Sequence, residues 1–130
     1  MFSKNRTLSN LRGAFRGCVN LTEIPELLFA NNREGLDWDY IFYGCINAKF
    51  NQNIFCDEKT EMKTRFTNGR AIGFSYAFSR DSFQGTGKSI APQLWNYSYD
   101  KSVAASKCFG GAGNTAQSIT NYGDIPSGWK

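Results

Sequence analysis

The chain has no histidine. That excludes Ser-His-Asp and Cys-His catalysis, histidine-held metals and histidine pH switching. No apolar run approaches the roughly 18 residues a membrane-crossing helix needs, so no span is expected. The opening MFSKNRTLSNLR lacks the apolar segment of a secretory leader. The expectation is a protein used without Sec export, or a piece of a longer chain. No Cys-x-x-Cys links Cys18, Cys45, Cys56 and Cys108, which removes the usual zinc-ribbon and thioredoxin patterns. No D-x-D-x-D-G run is present to bind calcium. No metal and no cofactor are expected.

What is present fits one globular domain. The 130 residues are 41% hydrophobic and 20% charged, close to globular averages. Aromatics are abundant, with 11 Phe, 6 Tyr and 3 Trp, so large rings should dominate the core. The net charge of +4 equals that of Lys4, Arg6, Arg12 and Arg16, which lie in an acid-free first twenty residues. Without a Lys/Arg run this basic end reads as a solvated face, and no nucleic-acid partner is expected.

A two-part unit recurs four times. Its first block is GAFRGC (13–18), YIFYGC (40–45), YAFSRD (76–81) and KCFGGA (107–112), carrying Phe15, Phe42, Phe78 and Phe109. Its second is IPELLF (24–29), FNQNIF (50–55), APQLW (91–95) and IPSGW (125–129), and the three prolines all sit second in their blocks. Units run over about 8–35, 36–70, 71–101 and 102–130, with 56–70 reading as a polar surface insertion.

Leu8, Leu11, Phe15 and Cys18 recur at steps of three, four and three, the spacing of one helix face. Trp38, Ile41, Phe42 and Cys45 repeat it. The first block is therefore expected to be a short helix ending near Gly17 or Gly44. The second is expected to be a very short strand followed by a turn. Neither buries its apolar face alone, which is the logic of stacked repeats. On that reading Cys18 and Cys45 point inward as small apolar side chains in preference to disulfides, because Asp81 and Ala112 hold the equivalent positions.

Ala14-Phe15-Arg16-Gly17-Cys18 with Leu21, Ile24 and Pro25 resembles the A-F-x-x-C … L-x-x-I-P signature of BspA-like leucine-rich repeats. Ile41 to Cys45 is a second match, and the closing stretch 108–130 resembles terminal repeats of bacterial surface and phage tail-fibre proteins. The resemblance covers about 8–55 and 71–130. It implies an α/β fold, a short irregular solenoid of helix-plus-short-strand units with a small parallel sheet. It also implies adhesion or receptor binding outside the cell, on a virion or bacterial surface. Asp81, Ala112 and Asn51 depart from the pattern.

Three stretches invite chemistry. SFQGTGKS (82–89) approaches a phosphate-binding loop, but Ser82 replaces its first glycine and Pro92 forbids the helix such a loop opens. A turn with an exposed lysine is the plainer reading. Asp37, Asp39 and Asp81 are the carboxylates a polysaccharide-cleaving enzyme would use; the first two read more simply as a solvated helix start. Exposed rings are the best clue, since sugars stack on rings and bond to nearby amides. Tyr43, Asn96, Tyr97, Tyr99 and Tyr122 are the expected contact residues.

The expectation is a non-enzymatic binding module with no catalytic residue. Its partner is a cell-surface glycan or protein receptor. The alternative is a structural cap that self-associates or joins a virion neighbour.

Overall fold

The computed structural model describes residues 8–130; Lys4 and Arg6 of the basic end, and the first seven residues of the opening stretch, lie outside them. Among the described residues there is no α-helix and no sheet. Regular structure is limited to 3₁₀ turns at Glu61–Lys63, Leu94–Asn96, Tyr122–Asp124 and Ser127–Trp129. Strand character is confined to isolated parallel bridges such as Asn10 to Asp37, Asp37 to Gly73 and Gly73 to Ala104. The expected α/β solenoid of helix-plus-strand units is therefore corrected: the chain is built from turns.

The turns follow a simple hydrogen-bonding rule. In the first coil the amides of Leu11, Gly13, Phe15 and Gly17 donate to the carbonyls of Asp37, Asp39, Ile41 and Tyr43 in the next coil. The intervening amides of Ala14, Arg16 and Cys18 close turns onto Leu11, Gly13 and Phe15. The amide of Arg12 is taken by the Asn10 side chain at 3.0 Å. The second coil repeats this onto the third, with Trp38, Tyr40, Phe42 and Gly44 donating to Gly73, Ser75, Ala77 and Ser79. The third repeats it onto the fourth, with Phe74, Tyr76, Phe78 and Arg80 donating to Ala104, Ser106, Cys108 and Gly110. Backbone polarity is thus satisfied without a helix or a sheet.

This explains why the spacing misled. Turns closed by i-to-i+3 bonds place apolar side chains at steps of three and four, as a helix does. A helix is broken at one equivalent residue in every coil. Gly13, Tyr40, Tyr76 and Lys107 all have positive φ, at 62°, 59°, 57° and 49°. Three of these are not glycine, a conformation that costs about 1–2 kcal/mol each.

Parallel register stacks like on like. Phe15, Phe42, Phe78 and Phe109 form a continuous column, with ring centroids 5.3, 5.5 and 5.2 Å apart. Cys45 and Cys108 are buried, Cys18 is half-buried, and all four cysteines are free. Trp38, Phe29, Phe55, Phe66 and Phe74 complete an aromatic core by edge-to-face and tilted contacts. The 56–70 stretch is not purely surface, because Arg65 and Phe66 are both buried.

The second blocks stack less regularly. Glu23 bridges Lys49, and Ser89 bridges Ile119. The fourth member of this stack is therefore the stretch around Ile119, not IPSGW. Trp129 instead closes the end of the phenylalanine column, its carbonyl accepting from the Phe109 amide at 2.8 Å.

Candidate binding face

In the two middle coils the positive-φ residue is a tyrosine. Tyr40 and Tyr76 lie face to face, 5.0 Å apart and 6° from parallel. Tyr43 packs its edge against both, at 5.4 and 6.2 Å. The three rings are partly exposed. Arg16 lies 5.0 Å from the ring centres of both Tyr40 and Tyr43, and Arg12 lies 5.1 Å from Tyr40. Cations over ring faces are attracted by the ring quadrupole.

Two carboxylates hold this face in place. Asp37 accepts from the Asp39 amide at 3.0 Å, which caps the turn. Asp39 accepts from the Ser75 amide at 2.8 Å and from Arg12 at 3.1 Å, so it joins three coils. Burial raises the Asp39 pKa, partly offset by the Ser75 amide and by Arg12, while nearby Asp37 raises it further. A side chain on Gly73 would collide with the Asp39 carboxylate, with a Cβ only 2.8 Å from its oxygen. Arg16 and Lys107 are exposed, and Arg16 has no carboxylate partner among the described residues.

Of the expected contact residues, only Tyr43 belongs to this cluster. Tyr97 is 6% exposed, its hydroxyl 3.1 Å from the Cys56 sulfur. Tyr99 stacks on Phe66 at 5.5 Å and donates to the Leu94 carbonyl. Burial raises both hydroxyl pKa values. The polar-loop expectation is corrected for Tyr97, which is buried, since rings this size fill the core before they decorate a surface; Tyr99 is half-buried against that core. Asn96 is exposed and bonds only to Gln93 at 3.1 Å among the described residues. Tyr122 lies under the Lys130 ammonium at 4.3 Å. The cluster members not foreseen are Tyr40, Tyr76, Arg12 and Arg16. Their signal was a tyrosine two places before the column phenylalanine in units two and three.

The phosphate-loop-like stretch opens no helix. Lys88 donates to the Ala116 carbonyl at 3.2 Å, and the Gln84 amide to the Ile46 carbonyl. Beside it lies a polar cleft of about 380 Å³, lined by Thr22, Glu23, Asn47, Lys49, Gln84 and Thr86. An apolar groove of about 320 Å³ lies at the first unit, lined by residues including Leu21, Ile24, Pro25, Leu27 and Leu28. Among the described residues no cluster of three His, Cys, Asp or Glu side chains is close enough to hold a metal. Among the described residues no helix is long and apolar enough to cross a membrane. No protein-family model matches the chain, and neither a curated protein nor a solved structure matches it.

Proposed function

We propose that the chain is a non-enzymatic binding module that recognises a cell-surface glycan or protein through the tyrosine face. One observation carries this reading. Two tyrosines adopt the left-handed backbone that costs them energy, and they use it to stack partly exposed on the outside of a rigid ladder. Strain of this kind persists where the surroundings enforce it, and it gathers at binding sites. A hydroxylated ring platform with fixed guanidinium and carboxylate groups suits sugar hydroxyls and peptide polar groups alike. The resemblance to BspA-like repeats and to fibre-end repeats supports placement on a virion or bacterial surface.

The test is binding of the labelled protein to a panel of intact bacteria, with and without enzymatic removal of surface polysaccharide. Saturable binding lost on stripping identifies a glycan. Binding that survives stripping identifies a protein receptor. Tyr43→Ala and Arg16→Ala should each weaken binding at least several-fold while leaving the fold intact. Absence of binding by the folded protein to every strain would overturn the reading.

A second reading, an assembly cap, is favoured by the apolar groove at the first unit, whose lining includes the exposed Leu27. Sedimentation distinguishes the two: a cap self-associates, and a monovalent recognition module stays monomeric.

A further inference from the structure

The first two coils carry cysteines at the same position, and the coils approach closely there. The Gly17 amide donates to the Tyr43 carbonyl at 2.7 Å, one residue before Cys18 and two before Cys45. A Cβ built on Gly44 would lie 3.8 Å from the Gly17 Cα, with nothing nearer. Both glycines have positive φ, at 69° and 73°, so the two turns have the same shape. Cys18 and Cys45 close equivalent turns, onto Phe15 and Phe42. The Cys45 thiol points toward the first coil, donating to the Phe15 carbonyl at 2.9 Å. In-register neighbours about 4.8 Å apart fall inside the Cα separation a disulfide accepts, roughly 4.4–6.8 Å.

We infer that Cys18 and Cys45 are an oxidation site that forms a disulfide between adjacent coils when the protein meets a disulfide oxidant such as oxidised glutathione. The inference is independent of what the tyrosine face binds. Cys18 is the entry point because it is partly exposed, whereas Cys45, Cys56 and Cys108 are buried. The Cys18 thiolate attacks one sulfur of oxidised glutathione, whose S–S bond breaks and releases one glutathione thiolate. Cys45 then loses its proton and attacks the Cys18 sulfur, releasing the second glutathione. Two protein thiols become one disulfide, and the two electrons reduce glutathione disulfide to two thiols that take up the two protons.

The second step is the slow one. Burial pushes the Cys45 pKa up to about 11, against partial relief from the Cys18 and Gly17 amides. The exposed positions equivalent to these cysteines in the later coils are Asp81 and Ala112, so only the first two coils carry the pair. The bridge staples the coil bearing Arg12 and Arg16 to the one bearing Tyr40 and Tyr43.

The experiment incubates the folded, full chain with oxidised glutathione at several pH values. Samples are acid-quenched, denatured, alkylated and mapped by mass spectrometry. The expected product is lighter by two hydrogen atoms and yields a peptide joining Cys18 to Cys45. Its formation accelerates as pH rises from 8 toward 10, and its unfolding temperature exceeds that of the reduced chain. Cys45→Ala should stop at a stable glutathione adduct on Cys18. The wild-type map needs no variant, so a poorly folding variant does not blunt the test. A glutathione adduct retained on wild-type Cys18, a bridge to Cys56 or Cys108, or four unreacted thiols would each overturn the inference.

Discussion

The two stacks of this molecule solve one problem in different ways. In the phenylalanine stack every coil repeats the last, and backbone amides find backbone carbonyls in the next coil. In the second stack the register varies, and side chains stand in where the backbone falls short. The Phe50 amide donates to the Ser89 hydroxyl at 2.9 Å. Asn51 donates to the Ile24 carbonyl, and Asn121 both accepts from and donates to the Ala91 backbone. The regular ladder needs side chains only at its turn starts, where Asn10, Asp37 and Asp39 accept from backbone amides; the irregular stack is joined by asparagine, serine and arginine.

Arg80 is the main repair, and it joins the two stacks. Its position in the third coil corresponds to Gly44 in the second. It is 1% exposed, and no carboxylate accompanies it among the described residues. Its guanidinium donates to the Ala48 carbonyl at 2.6 Å and to Asn114 at 2.8 Å. It sits 4.1 and 4.2 Å from the ring centres of Phe50 and Phe83. Asn114 passes the connection on to the carbonyls of Phe78 and Gly110. Burial lowers the Arg80 pKa to about 10. Arg65 has a similar setting, bonded to the carbonyls of Phe29 and Asn32 and 4.8 Å from Phe66, and burial lowers its pKa to about 10 as well.

Breaking each stack in turn sharpens the contrast. Phe78→Ala removes a fully buried ring from the middle of the regular column and should cost about 4 kcal/mol, read from urea unfolding. Arg80→Ala leaves the Ala48 carbonyl and Asn114 short of donors and should cost about 3 kcal/mol in the same assay. Asn121→Ala strips one repair from the second stack and should cost about 1–2 kcal/mol, whereas Asn96→Ala, which repairs nothing, should cost under about 0.5 kcal/mol. Lys107→Gly should instead stabilise by about 0.5 kcal/mol, since the left-handed conformation suits glycine and its entropy cost offsets only part of the gain.

A pH series tests the regular column without a large truncation. Cys45 is raised in the folded state from 9.0 to about 11. The folded chain therefore holds its proton more tightly than the unfolded chain. The stability this contributes is fully present below pH 9 and is lost as pH rises through about 11. Urea midpoints should fall across that window, and Cys45→Ala should make the fall shallower, the remainder coming from Cys108, Tyr97 and Tyr99, whose pKa values burial also raises.

The column was legible because phenylalanines at equivalent points of a repeat must stack if the repeat stacks. Phe15, Phe42, Phe78 and Phe109 were aligned by sequence and meet in space. The helix was misread because consecutive turns reproduce its apolar spacing, and the left-handed tyrosines that break it are ordinary letters in a sequence. The face built on Tyr40 and Tyr76 was missed for the same reason: only register brings residues 36 apart into parallel contact. Tyr97 was misplaced because its polar neighbours suggested a surface loop, while a core with this many rings had room for it.

By itself the sequence determined the repeated phenylalanines, the lack of histidine chemistry and the aromatic character of the core, since these follow from which residues recur and which are missing. Only the tertiary structure decided that the repeats are turns, that Arg65 and Arg80 lie buried with no ion pair among the described residues, and which tyrosines reach the surface. Those outcomes depend on hydrogen bonds between coils far apart in the chain, and a local reading of the residues contains no record of which amide will meet which carbonyl.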